Sequence, residues 1–184
     1  MRKKDDEKER RIRQAVIELM LEEGLNGTSI AKIARMAGVS PATVYIYYEN
    51  KEDMLRDIYL ECSNQAYDYL LNGIRCNMSR AQMIETLVRR YYHYLIDHPQ
   101  AHCFIEQFSN RPSLSTKCNC EKRMQDLFDW IEEEHSFHQR YSRESLSAIL
   151  FYPIKALAAD HEHSNQQKQR QLEELIEMIQ KAIL

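Results

Sequence analysis

Histidine and cysteine side chains lie close together in one stretch of the sequence, where they could bind a metal ion or respond to oxidation. His98 and His102 are four residues apart, Cys103 follows directly, and Cys118-Asn119-Cys120 comes soon after. Imidazole and thiolate groups are ordinary zinc ligands, and a thiolate is the reactive form of cysteine. However, Pro99 separates the two histidines, no closed four-ligand set is implied, and scattered thiols normally fill cores. We therefore predict no metal site and no cofactor, with metal or thiol sensing kept as an alternative.

The motifs of several common enzyme classes are missing from the sequence. It contains no Gly-rich phosphate loop, no Gly-x-Ser-x-Gly and no His-Glu-x-x-His. We therefore expect a protein that is not an enzyme.

The composition indicates which elements must position the remaining side chains. Hydrophobic residues make up 43% of the 184 positions and charged residues 29%, which suits a globular domain with a core. Only 4 Gly and 4 Pro occur, too few for a sheet rich in hairpins. Apolar residues recur at helical spacing, so the sequence predicts an all-α fold of about nine helices. The longest apolar run, residues 148–152, is too short to cross a membrane, and the charged N-terminus carries no export signal, so we expect a cytoplasmic protein.

The segment from Thr28 to Tyr48 predicts two short helices joined by a sharp turn. Thr28 can cap the first helix, Gly38 can end it in a left-handed conformation, and Ser40-Pro41 is a typical start for the second. A DNA-binding helix-turn-helix requires such a turn to set its second helix into the major groove. Val44 and Tyr48 are four residues apart, so we expect both to pack inward.

Longer helices are predicted on both sides of this segment. Each is indicated by an apolar stripe and by a capping or breaking residue, and Pro153 should kink or locally break one of them. The predicted helices cover about 8–23, ended by Gly24; 51–71, with Asn50 as cap and Asn72-Gly73 as end; 79–97; 99–108; 116–134; a helix starting at Ser142; and a last helix carrying Leu172 to Ile183.

The run TSIAKIARMAGVSPATVYIYYENKEDML, residues 28–55, closely resembles the DNA-binding domain of the tetracycline-repressor (TetR) family. The shared features are a helix starting at Thr-Ser, an Ile-Ala pair, Ala-Gly-Val-Ser, closely spaced tyrosines and Asn-Lys-Glu-x-x-Leu. The resemblance covers about residues 10–60. It implies a DNA-binding domain over residues 1–50 and a helical effector-binding and dimerisation domain over residues 51–184.

The resemblance also implies roles for individual residues. Thr43 would face base edges, whereas Tyr45, Tyr47 and Lys51 would hold phosphates, which suits the hydrogen-bonding capacity of these side chains. Ala42 and Ile46 offer no hydrogen bond, so base discrimination would depend on Thr43, on methyl contacts and on DNA shape. The predicted DNA-binding residues are Thr28, Ser29, Ser40, Pro41, Ala42, Thr43, Tyr45, Tyr47 and Lys51.

The regulatory half is expected to hold a small-molecule effector and to form a homodimer. Aromatic side chains suit an apolar ligand with one or two polar groups, and the expected contacts are Tyr91, Tyr94, Phe104, Phe108 and Trp130. The last two helices carry apolar stripes that could pair across a twofold axis, through Leu146, Leu150, Ile154, Leu157, Leu172, Leu175, Ile176 and Ile179. The alternative is that these stripes complete the core of a monomer.

The function expected from these features is that of a ligand-responsive regulator of transcription. As a homodimer it would bind a double-stranded DNA operator with an inverted repeat, act as a repressor, and be released by an unknown small-molecule effector. A helical adaptor that binds proteins and no DNA is the alternative from another class.

Overall fold

The computed structural model describes residues 6–75, 77–109, 122, 125–126, 128–129 and 142–184, and within this part of the chain every regular element is a helix. The predicted all-α fold is therefore confirmed. Of the helix expected over about 116–134, only a few helical residues between 122 and 129 are described. The helices with full bounds are α1 (Asp6–Gly27), α2 (Ile30–Ala37), α3 (Pro41–Tyr47), α4 (Lys51–Leu71), α5 (Arg80–Asp97), α6 (Pro99–Ser109), α7 (Arg143–Ala159) and α8 (Asn165–Ile183).

The helix starts follow local capping chemistry. Ser40 and Ser79 accept backbone N–H groups of the third residue beyond them, as predicted, and Ser79 does so within a reciprocal capping box with Gln82. Ser142 caps α7 in the same way. The side chain of Asn50 likewise accepts the amide of Asp53 at 2.9 Å, ahead of α4. These starts could be predicted because each depends on residues three positions apart.

Two predicted boundaries differ from the structure. The N-cap of α2 is Ser29, whose side chain accepts the amide of Lys32, so the prediction of Thr28 as cap is wrong. Thr28 is buried instead, and its hydroxyl donates to the carbonyl of Gly24 at 2.8 Å. Gly24 interrupts α1 with a left-handed φ of 68°, as expected of the residue that ends the first straight segment, but helical turns resume to Gly27.

The chain forms two compact units whose division differs from a boundary at residue 50. Unit 1 contains α1–α3, the first part of α4 through Asn64, and α6; unit 2 contains residues 65–98 together with α7 and α8. The start of α4 belongs with unit 1 because Met54, Leu55 and Ile58 are buried in one core with α1.

Unit 1 is organised around the apolar face of α1. Ile12, Val16 and Met20 lie one turn apart on this face and are fully buried. They pack with side chains of α2, α3, α4 and α6 in one core that also includes Ile33, Ala34, Val44, Tyr48, Cys62, Phe104 and Phe108. The inward packing predicted for Val44 and Tyr48 is confirmed.

Unit 2 is built from α5, α7 and α8, which pack pairwise against one another. Polar contacts also join α5 to α8: the guanidinium of Arg89 donates to Glu173, and the amide of Gln180 donates to the carbonyl of Ala81 at 2.8 Å. Helix α7 continues through Pro153 as one element, so the predicted local break is absent. None of the helices in the described ranges is long and apolar enough to span a bilayer.

Candidate nucleic-acid interface

The turn between α2 and α3 depends on the conformational freedom of Gly38. Its φ of 66° and ψ of 38° lie in the left-handed region, and its N–H bonds back to the last turn of α2. A Cβ at this position would also lie 3.3 Å from Nη1 of Arg11, a residue of α1. The positive φ is the physical reason for glycine in this turn, which fixes the direction in which α3 leaves α2.

Helix α3 presents one face to the core and the opposite face to solvent. Val44 is fully buried, whereas Ala42, Tyr45 and Ile46 are exposed, the last two by 56% and 47% of their surface. The exposed face carries no formal charge. As predicted, the short helix after the turn is held from one side only and is accessible from the other.

The hydroxyl of Thr43 is engaged in the N-terminal cap of α3. Its Oγ1 lies 2.9 Å from Oγ of Ser40, which also accepts the amide of Thr43 at 3.1 Å. Ser40 and Thr43 therefore lie next to each other at the start of α3, beside the exposed Pro41. Both predicted polar side chains are present at this end, but each already has a partner within the chain.

The two tyrosines predicted to hold phosphates are placed differently. Tyr45 projects from the exposed face, whereas Tyr47 is half-buried and packs against the core of unit 1, with its ring 6.5 Å from that of Tyr48. Burial raises the pKa of Tyr48 to about 12, so this phenol stays protonated and inside the core. Tyr45 is thus the more accessible of the two predicted phosphate donors.

Lys51 makes contacts that differ from the role implied by the family resemblance. Its Nζ donates to the carbonyl of Leu25 at 2.6 Å and to the carbonyl of Thr28, both near the end of α1. Lys32 adds a second ammonium to this turn, where it donates to the carbonyl of Gly27 at 3.0 Å and pairs with Glu23. Burial lowers the pKa of Lys51. The two lysines stabilise carbonyl groups that lack helical partners, which is the favourable location for a cation at a helix C-terminus.

The structure divides the predicted contact residues into two groups. Thr28 is buried with its hydroxyl turned to Gly24, and Lys51 is bound to backbone carbonyls, so both hold the turn between α1 and α2. The other group lies at the surface of α2 and α3 and consists of Ser29, Ser40, Pro41, Ala42, Thr43, Tyr45 and, in part, Tyr47.

The expected effector residues that the structure describes are divided between the two units. Phe104 and Phe108 are fully buried in the core of unit 1, where Phe108 stacks on Tyr59 at 5.7 Å. Tyr91 and Tyr94 are buried in unit 2. Trp130 lies outside the described residues. Phe104 and Phe108 contribute to the core of unit 1, and their contact with an effector stays a prediction.

The residues expected at the dimer interface are mostly buried within the single chain. Seven of the eight are at most 7% exposed, and Leu175 is half-buried. They pack α7 and α8 onto α5, because each helix turns its apolar stripe toward its neighbours in unit 2. Their pairing across a twofold axis stays a prediction. The same helices expose other apolar side chains, which are Ile149, Tyr152 and Met178.

The candidate metal and thiol groups are not gathered into a site in the part of the chain that the structure describes. There, no three His, Cys, Asp or Glu side chains are close enough to hold a metal ion. The ring of His98 packs on Tyr94 at 5.1 Å, and His102 lies 3.5 Å from Glu106. Cys118 and Cys120 fall outside the described residues.

The sequence patterns did not indicate a cavity that the structure contains. Unit 2 contains an open cavity of about 640 Å³, lined by Tyr67, Phe128, Phe151, Tyr152, Arg143 and Lys155 among others. Among the four expected effector residues that the structure describes, none lines this cavity, although Tyr91 packs edge-on against Phe151 at 4.9 Å. The lining residues come from separate parts of the chain, so no local spacing could have indicated them.

Comparisons with known proteins agree with this geometry. The family model described as "Bacterial regulatory proteins, tetR family" matches residues 12–58. The Fatty acid metabolism regulator protein of Bacillus subtilis is 28% identical over 81 residues, 44% of this chain and 42% of that protein. The biofilm operon icaADBC negative transcriptional regulator IcaR of Staphylococcus epidermidis is 30% identical over 81 residues, again 44% and 42%. In both cases the match spans about two fifths of the relative's length.

A solved structure extends the similarity of fold to nearly the whole chain. A TetR family transcription regulator from Marinobacter aquaeolei superimposes with a TM-score of 0.80 at 23% identity, covering 96% of this chain and 97% of that one. Residues 12–58, which match the tetR family model, hold the Gly38 turn and helix α3, and the similarity to a TetR family regulator extends beyond this segment at the level of the fold.

Proposed function

We propose that this protein is a homodimeric transcriptional repressor that binds an inverted-repeat DNA operator through α3 and is released by a small-molecule effector. The observation that carries the proposal is the exposed face of α3, which the Gly38 turn holds out from the core of unit 1. A helix held in this way can enter the major groove while neighbouring groups contact phosphates. The named role of the IcaR relative as a negative regulator supports the choice of a repressor.

The proposed dimer uses the outer surface of α7 and α8. Tyr152 and Met178 are 69% and 64% exposed, which is unusual for large apolar side chains on two of the three helices that form the core of unit 2. A twofold axis through this surface would pair like helices from two copies. The two copies of α3 must then reach major grooves roughly 34–36 Å apart, which is why we propose an inverted repeat.

The proposed effector site is the cavity of unit 2. Its aromatic walls suit an apolar body. The charged residues that line it are two cations, Arg143 and Lys155, and one anion, Glu144. Arg143 donates to Asp129, and the ammonium of Lys155 lies 5.4 Å from the centre of the Tyr152 ring. We therefore propose an effector with an apolar body and an anionic group. The relative named as a fatty acid metabolism regulator makes fatty acids reasonable first compounds to test.

Binding to duplex DNA at several salt concentrations tests the proposed function. Fluorescence anisotropy with fragments selected from random duplexes should give an affinity that falls steeply with added salt, because phosphate contacts release counterions. A protein-binding adaptor would show no such affinity for any duplex. Absence of binding at low ionic strength to every fragment offered would refute the proposal.

A pair of probes of equal length tests the effector site. Decanoate should weaken the complex with DNA more than uncharged decanol does, and Lys155→Met should reduce the difference between the two probes. The exposed Lys181 of α8, which pairs with Glu177, provides a matched control as Lys181→Met. Equal responses to both probes in the unmodified protein would contradict the proposed anionic group.

A further inference from the structure

Three methyl-bearing side chains occupy the outward face of α3. Ile46 is two residues from both Val44 and Tyr48, which places these buried side chains about 160° away around the helix axis. Ala42 is four residues before Ile46, and Thr43 is three residues before Ile46, so both lie on the same face as Ile46. The centre of the surface that would enter a groove is therefore apolar.

The hydroxyl of Thr43 adds little polarity to the outward face of α3. It lies 2.9 Å from Oγ of Ser40 and so already has a hydrogen-bond partner within the cap of α3. The Cγ2 methyl is the part of the side chain that has no polar partner. Thr43 therefore contributes a methyl group to the same apolar surface as Ala42 and Ile46.

The composition of α3 excludes the usual polar readers of bases. Its seven residues, PATVYIY, include no Arg or Lys to bind guanine and no Asn or Gln to bind adenine. The major groove displays one apolar group, the 5-methyl of thymine, and small apolar side chains recognise it by contact. Tyr45 and Tyr47 are adjacent to Ile46 on either side, about 100° around the helix, where they flank this face.

We propose that Ala42, Thr43 and Ile46 recognise the operator by packing against thymine methyl groups, so that each half-site presents thymines to this face. The inference rests on the proposed binding of DNA through α3. It goes further by naming the chemical group that is read and the residues that read it.

Replacing thymidine by deoxyuridine tests this proposal, because the change removes the methyl group and keeps every hydrogen bond of the base pair. In an operator obtained by selection from random duplexes, single replacements should lower the affinity about fourfold for each methyl that is buried. Replacements outside the half-sites should have no effect. Thymidine differs from deoxyuridine only by the 5-methyl group, so the unmodified operator is the matched control.

A double-mutant cycle assigns the contact to a residue. Ile46→Ala should weaken binding to the thymidine operator and abolish the effect of deoxyuridine at one or more positions. Met36→Ala is the matched control, since Met36 is an apolar residue of α2 with 43% exposure, close to the 47% of Ile46. It should leave the effect of deoxyuridine unchanged.

The outcomes separate this inference from the proposed function. If deoxyuridine at every half-site position leaves the affinity for a selected operator unchanged, the proposed recognition of thymine methyl groups is wrong. The proposed binding of DNA would not be affected by that result. Failure to select any duplex would overturn both. Sensitivity to deoxyuridine that persists in full in Ile46→Ala, Thr43→Ser and Ala42→Gly would remove these residues from the role.

Discussion

Replacing Lys51 by Met separates two roles that the same side chain could have in binding DNA. The family resemblance implies a phosphate contact, whereas the structure shows the ammonium bound to the carbonyls of Leu25 and Thr28. Methionine keeps the length of the side chain and removes the charge and the hydrogen bonds. A role in the turn predicts a loss of stability with an unchanged salt dependence of DNA binding. A phosphate contact predicts the reverse.

The expected magnitudes follow from the contacts. A hydrogen bond from a charged donor contributes about 1.5–3 kcal/mol, and partial exposure of Lys51 reduces this value. We therefore expect Lys51→Met to lower the free energy of unfolding by about 1–3 kcal/mol. We expect the dependence of affinity on salt to keep its slope, since no phosphate contact is lost, although the affinity itself falls because the turn before α2 loosens.

Denaturant unfolding and anisotropy titrations over a range of salt concentrations provide the two measurements. A lost phosphate contact would reduce the slope of log K against log salt by about 0.9 per site. Arg75→Gln is the control, because Arg75 is an exposed cation of unit 2 and should change neither quantity. A reduced slope with unchanged stability would refute the assignment of Lys51 to the turn.

Three further predictions concern the turn, the dimer and pH. Gly38→Ala should destabilise unit 1 by about 1–2 kcal/mol and weaken DNA binding, because its φ is 66° and the added Cβ would lie 3.3 Å from a guanidinium; Gly73→Ala, with a φ of 94° but open surroundings, should lower stability without changing affinity, and anisotropy distinguishes the two. Met178→Asp should yield folded monomers in sedimentation, whereas the buried Ile179→Asp should unfold the chain, and an intact dimer of Met178→Asp would place the interface elsewhere. Burial raises the pKa of Tyr48 from 10.0 to about 12, so its protonated form contributes stability that is full below pH 10 and is lost as the pH rises toward 12; Tyr48→Phe should flatten the fall in denaturation midpoint over this range, and an unchanged fall would contradict the assignment.

Local patterns in the sequence predict most of the elements of this fold. Ser40, Ser79 and Ser142 each cap a helix through an amide three residues on, and such a short-range contact is visible in the order of residues. The choice between Thr28 and Ser29 failed because both are adjacent hydroxyl residues ahead of the same apolar stripe. Only the burial of Thr28 against Gly24 distinguishes them, and burial depends on how α1 and α2 pack.

The parts of the candidate site that the sequence did not predict depend on contacts between residues far apart in the chain. The partners of Lys51 are 26 and 23 residues away and are backbone carbonyls, which have no signature in the sequence. Likewise, an apolar stripe on α7 or α8 indicates burial but does not say whether the neighbour is another helix of the same chain or a second copy. Seven of the eight expected interface residues found their neighbours within the chain.

The contacts of Lys51 and of the apolar stripes on α7 and α8 have one property in common. Each fixes one helix relative to another, and the proposed release by an effector requires such contacts to change. Helix α4 starts at Lys51, which holds the α1–α2 turn, and its residues from Gln65 to Leu71 lie in unit 2, so the helix belongs to both units. If the proposed effector acts through α4, Lys51→Met should retain binding of the effector but lose part of the effector's influence on DNA affinity. An unchanged ratio of DNA affinities with and without decanoate in this variant would show that the coupling takes another route.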